Sequence, residues 1–213
     1  TTIEVLVDGP RVLSFDLYPT LRVSRVADSN GQSIPFIQEN PGEDPDLTVI
    51  FPEPLHRGVR KLEFEYTGEG ALVQEGAGNF ALVARSNWYP SSAFGDRATY
   101  DMTFRTPKDL VMVASGQPQG SSLQGSELVT QWKSDVPLAV AGFNFGRFRK
   151  TEVKDDKLKY VIESYANTNA TDLFRSIEDL VDSSNFNTTR LMDKARNEAQ
   201  VALGIYQKYF GSL

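Results

Sequence analysis

His56 is the only histidine in this chain, and no cysteine accompanies it. Zinc sites are built from imidazole, thiolate and carboxylate ligands, and the hydrolytic zinc peptidases carry His-Glu-x-x-His on one helical face. His56 lies instead in Pro54-Leu55-His56-Arg57-Gly58, a loop composition between strand-like segments. One imidazole without thiolates falls short of a self-contained catalytic zinc site, so the chain itself is expected to need no cofactor. A serine nucleophile would sit in a Gly-x-Ser-x-Gly elbow. The nearest approach, Gly120-Ser121-Ser122-Leu123-Gln124, fails at its last position and reads as a polar hairpin. Adjacent acids such as Asp155 with Asp156, or Glu178 with Asp179, point apart on a strand or around a helix and read as solvated surface. The acidic loop Glu39 to Asp46 offers oxygens but lacks the Asp-x-Asp-x-Asp-Gly spacing of a calcium loop. Asn169-Ala170-Thr171 and Asn187-Thr188-Thr189 match the glycosylation pattern, which polar segments match by chance.

One segment stands apart from this inventory. Arg85-Ser86-Asn87-Trp88-Tyr89-Pro90 places two large aromatic side chains before a proline, after the glycine-rich Gly76-Ala77-Gly78. Trp and Tyr at strand ends pack a core or face a partner. This corner is therefore the candidate for contact with a ligand or a neighbouring domain.

The elements that would position it are strands. Lys61-Leu62-Glu63-Phe64-Glu65-Tyr66 alternates apolar and charged residues, and the same period of two runs through Tyr100 to Arg105 and Leu158 to Glu163. Val12 to Tyr18, Leu21 to Val26, Leu47 to Phe51, Phe80 to Ala84, Leu110 to Ala114, Leu128 to Trp132 and Leu138 to Phe148 read as further strands. Asp28-Ser29-Asn30-Gly31, Asn40-Pro41-Gly42 and Thr67-Gly68-Glu69-Gly70 supply turns. The aromatic alternation of Phe143-Asn144-Phe145-Gly146-Arg147-Phe148 slips at Gly146, where a bulge is expected.

After about Ala166 the pattern turns helical: Asp172 to Val181 places Leu173, Ile177, Leu180 and Val181 on one face. From Leu191 the apolar spacing is three or four, through Ala195, Ala199, Ala202, Tyr206 and Tyr209, with Gly211 as terminator. The expected architecture is mainly β: an antiparallel β-sandwich over residues 1–165, a linker with a short helix over 166–187, and a helix over 188–213. The Leu191, Ala195, Ala202, Tyr206 stripe should face a partner, or make the chain self-associate.

Of the 213 residues 28 are acidic and 22 basic, a formal charge of -6 with no basic cluster. A phosphate backbone needs a concentrated basic face, so nucleic acid is excluded as a partner. The first residues lack the basic start and apolar stretch of a signal peptide. The start at Thr1 and the stop at Leu213 read as those of an excised piece, and localisation stays open, a membrane-associated or extracytoplasmic parent included.

The order of segments resembles the N-terminal domain of the aminopeptidase N family of zinc metallopeptidases. The strand pair Val12 to Leu17 and Leu21 to Val26, the strand and turn Leu62 to Gly68, and the Trp88-Tyr89-Pro90 corner carry this resemblance. So do Ala98 to Pro107, Val113-Ala114-Ser115-Gly116, and Val136 to Phe148. Residues 10 to 165 are covered, and Tyr209-Phe210-Gly211 looks like the end of the first helix of the family's catalytic domain. The resemblance implies a saddle-like sandwich that caps a thermolysin-like catalytic domain of the same chain, whose zinc ligands would follow Leu213. It implies zinc and a peptide substrate for the parent, and a substrate-proximal loop here containing Asn79, Phe80, Arg85, Trp88 and Tyr89. The family places a Gln or Glu for the substrate's amine near Asn79 or Phe80, and neither residue is one. The alternative is a stand-alone β-sandwich used for binding or adhesion.

Overall fold

The computed structural model describes residues 1–9, 11–40, 46–75, 78–84, 87–92, 95–157, 159–167 and 188–211. Among them the chain forms fifteen strands and one helix, all strand pairs antiparallel. The β-rich architecture with a C-terminal helix is the one the alternation implied.

The first half stacks two three-stranded sheets. β1 (Thr2–Val7), β6 (Gly58–Gly68) and β3 (Leu21–Asp28) pair in the order β1-β6-β3, and β2 (Val12–Phe15), β5 (Leu47–Ile50) and β4 (Phe36–Gln38) in the order β2-β5-β4. The alternation of β6 turns Leu62 and Phe64 inward, each 1% exposed, while Glu63 and Glu65 stay at the surface. They meet Val26, Leu47, Val49 and Phe15 in one core cluster, where Phe15 and Phe64 stand edge to face at 5.3 Å. Each such side chain contributes about 1.5–3 kcal/mol by leaving water. The Asp28 turn works as its residues suggest. Its carboxylate accepts from the amides of Asn30 at 2.9 Å and Gln32 at 2.8 Å, and Gly31 takes φ +79°.

The second half is built around β9 (Asp101–Pro107), β10 (Val111–Ala114), β11 (Gln117–Gln124), β12 (Glu127–Lys133) and β13 (Phe143–Gly146). β11, β12 and β9 form one sheet in that order; β10, β13, β8 (Phe80–Leu82) and β7 (Leu72–Gln74) form another. Met102, Met112, Trp132 and Ala141 fill the space between them. The chain passes from β10 to β11 at Gly116, with φ +93° and the carbonyl of Lys133 2.4 Å from where a Cβ would stand. Only glycine fits that corner.

Two readings of the sequence are corrected here. Leu138 to Phe148 is not one strand: β13 ends at Gly146, and β14 (Phe148–Asp155) pairs with β15 (Tyr160–Asn167) in a separate hairpin. The break arises because Gly146 is pressed against Asn79, whose Oδ1 lies 2.2 Å from the position of a Cβ there. Gly120 to Gln124 is not a hairpin but part of β11; the turn comes after it, at Gly125-Ser126, since Gln124 pairs with Glu127.

The helix α1 (Thr188–Phe210) lies against the β14-β15 hairpin. Met192 is buried, and Gln200 donates to Asp155. The stripe turned inward thus runs through Met192, Ala199 and Leu203, while Ala195 and Tyr206 stay exposed. Val201, Ile205, Tyr209 and Phe210 are exposed as well. The helix expected over Asp172 to Val181, with most of the linker, lies outside the described residues.

Candidate functional site

The Trp88-Tyr89-Pro90 corner is held from four sides. Backbone bonds join it to the end of β2: the amide of Asp16 donates to the Ser91 carbonyl at 2.8 Å and that of Ser91 returns to Asp16 at 3.0 Å. The Tyr18 amide donates to the Asn87 carbonyl at 2.7 Å, and the Asn87 side chain to the Asp16 carboxylate at 3.2 Å. The Trp88 indole N–H donates to the carbonyl of Ala141 at 2.8 Å, and its ring stands edge to face with Phe143 and Tyr89. Trp88 packs against the cluster of Leu17, Leu21, Ala71 and Ala84 and also against that of Met102, Met112 and Trp132. Its ring belongs to both clusters and so helps to join the two halves of the molecule.

Hydroxyls complete the corner. Tyr66 donates to the Trp88 carbonyl at 3.0 Å and shares a hydrogen bond with the Thr1 hydroxyl at 2.7 Å. Burial pushes the Tyr66 phenol up, and the bond to Thr1 offsets part of the shift. Tyr89 and Tyr100 share a hydrogen bond of 2.8 Å; burial, then this bond, pushes the Tyr100 phenol up. Both phenols therefore stay protonated around neutrality and act as hydrogen-bonding struts, not bases.

Asn79 and Phe80 lie at the start of β8. Asn79 is 5% exposed, and its Oδ1 accepts from the amide of Arg147 at 3.0 Å. Phe80 stacks on Phe145 at 4.7 Å. Above them the Arg147 guanidinium pairs with Asp109 at 2.5 Å and crosses Gly78, which takes φ +82°. The structure thus gathers Asn79 and Phe80 around Gly146 and Arg147, and Trp88 and Tyr89 around Ala141, Phe143 and Tyr100. Arg85 lies outside the described residues. Arg147 and Asp109 were not singled out from the sequence: they are 38 residues apart and meet only through the fold.

None of these groups forms a nucleophile with a base beside it. His56 sits on the loop before β6, exposed, beside the weak Asp8 to Arg57 ion pair at 4.0 Å. Among the described residues no three His, Cys, Asp or Glu side chains come together as a metal site. The described residues do not fit a catalytic zinc.

No protein-family model and no curated protein sequence matches the chain. Solved structures do. The M1 zinc metallopeptidase from Deinococcus radiodurans superposes with a TM-score of 0.62 at 20% identity, over 77% of this chain and 41% of that one. A mutant of that enzyme bound to a Tyr-Ser-Ala substrate gives 0.63 at 19% identity, over 79% and 43%. A two-domain M1 zinc metallopeptidase mutant bound to L-arginine gives 0.62 at 20%, over 77% and 41%. The chain therefore has the fold of part of these metallopeptidases and spans about two fifths of their length, in line with the resemblance read from the sequence.

Proposed function

We propose that this chain is the non-catalytic β-sandwich domain of a zinc aminopeptidase, placed beside a catalytic domain of the same polypeptide that holds the metal and binds the peptide. The observation that carries the reading is the pairing of a metallopeptidase fold, matched over most of this chain and less than half of the enzymes, with a sequence of one histidine and no cysteine, short of the usual ligands of a catalytic zinc. Hydrolysis then belongs to the other domain, and this one supplies a wall and a rigid corner.

In this reading the segment from Gly76 to Asp96 faces the catalytic domain. Its glycine start and its braced aromatic corner suit a surface that must keep its shape beside a cleft. Asn79 is an internal brace for Arg147 as well as a member of that segment, so Asn79→Ala should lower stability in addition to any effect on substrate. Arg85→Ala is the cleaner variant: in the full-length protein it should change KM for peptides while the melting temperature holds.

The test of the main reading compares two proteins. The 213-residue chain should carry no stoichiometric zinc and hydrolyse no aminoacyl arylamide. The full-length protein should carry one zinc and lose turnover to a chelator. Tight zinc in the short chain with chelator-sensitive turnover, or a full-length protein devoid of both, would overturn it.

A further inference from the structure

One half of the second sandwich lacks a cover. In the sheet β11-β12-β9 the residues directly opposite one another form rows on a single face: Met102, Trp132, Pro118; Phe104, Thr130, Ser121; Thr106, Leu128, Leu123. In every row the β11 residue is the most exposed. Met102 and Thr106 of β9 and Thr130 and Trp132 of β12 are buried, whereas every residue of β11 is exposed and Leu123 reaches 63%. The covering sheet ends at β10, its terminal strand in the order β10-β13-β8-β7.

Between the free edge of β10 and the bare face of β11 lies a cleft of about 530 Å³. Its wall is Lys108 to Met112; its floor includes Pro118, Ser121, Leu128, Thr130 and Trp132. A strand beside β10 would take about 4.8 Å of width and about 10 Å of sheet separation at about 3.3 Å per residue, or about 160 Å³ each. The cleft thus holds roughly three residues, close to the four of β10.

We infer that this cleft is a binding site for a short extended peptide, added as a fifth strand to β10 and lying over Pro118, Leu128 and the Trp132 ring. Backbone groups of the free edge give affinity, and the apolar floor selects apolar side chains at alternate positions. Charge sets the end of the ligand. β11 carries no charged residue, and Asp109 is engaged by Arg147. The ammonium of Lys108 has no ionic partner among the described residues. An acidic side chain at that end of the peptide completes the site.

The inference concerns a different surface from the Trp88 corner and stands apart from the peptidase reading, since its test needs neither zinc nor turnover. Isotope-labelled chain is titrated with Thr-Val-Thr-Val-Asp as its C-terminal amide, and with Thr-Val-Thr-Val bearing a free C-terminus. The Trp132 indole resonance and the amides of β10 and β11 should move saturably with the aspartate peptide, and that peptide should bind more tightly than the one with the free C-terminus. Ser121→Glu, at an exposed position of the floor, should weaken binding about tenfold or more with an unchanged melting temperature. Lys108→Ala should weaken it about two- to fivefold. The same peptides with proline at the second threonine, which cannot bond to the edge, should not bind. No saturable shift with the aspartate peptide, equal or tighter binding of the peptide with the free C-terminus, shifts confined to other strands, equal binding of the proline peptides, or loss of the response to self-association of the chain would each overturn it.

Discussion

Replacing Trp88 tests whether one side chain joins the two halves of the sandwich. In Trp88→Phe the ring contacts with Tyr89 and Phe143 survive in part, but the Ala141 carbonyl loses its 2.8 Å donor. Ala141 is 0% exposed, so water does not reach it as a substitute. An unsatisfied buried acceptor costs about 1–3 kcal/mol, and about 2 kcal/mol is the working figure for Phe. Trp88→Ala also removes the ring from both core clusters, about 3–5 kcal/mol in all. For a chain of this size about 2 kcal/mol is a drop of roughly 4–8 °C in Tm.

The assay is urea and thermal unfolding followed by circular dichroism and by tryptophan emission. The chain has two tryptophans, so in either variant Trp132 alone reports on the second half. Wild-type protein should unfold with the two probes coincident. Trp88→Ala should separate them, because the clusters around Leu17 and Met102 lose their shared member. A Trp88→Phe cost below about 0.5 kcal/mol, or a Trp88→Ala variant whose probes still coincide at wild-type m-value, would refute the bridging argument.

Other outcomes follow from single contacts. Gly146→Ala should destabilise by about 2 kcal/mol or more and do so less in an Asn79→Ala background, a coupling that a double-mutant cycle in urea reads directly. Gly116→Ala, blocked by the Lys133 carbonyl and by its positive φ, should cost about 2–4 kcal/mol or prevent folding, measured against Gly95→Ala, where a Cβ meets nothing within 4 Å. On the β14-β15 hairpin, burial would raise the Glu163 carboxyl, but hydrogen bonds from Lys150 at 2.6 Å and from Tyr165 hold it below its ordinary value. That pair stabilises above about pH 4.3, the unfolded value, and its contribution disappears as pH falls through the lower folded value. Being half exposed, it is worth under about 1 kcal/mol, and Lys150→Met should flatten the stability profile between about pH 5 and 3.

How far the sequence foretold this molecule depends on the range of the interaction that made each part. β6 was legible because its burial pattern is its own alternation, and the Asp28 turn because donor and acceptor are two to four residues apart. β1 was passed over: Val5-Leu6-Val7 breaks the period, and Leu6 finds its place only opposite Val59. The aromatic corner was visible as composition, yet its role as a bridge rests on Ala141, 53 residues further on. Asn79 was picked for its place in a pattern, and the bond that explains its burial spans 68 residues.

β11 is the extreme case. Its eight residues hold one large apolar side chain, Leu123, so no periodicity marks it as a strand, and β12 alone draws it into one. The same poverty makes its bare face invisible locally. A lone exposed leucine is unremarkable in any sequence. It acquires meaning only when register places it third in a row whose other members, Leu128 and Thr106, lie progressively deeper. A covering sheet that ends one strand short is thus a property of strand order, and strand order is decided by contacts between segments, not within them.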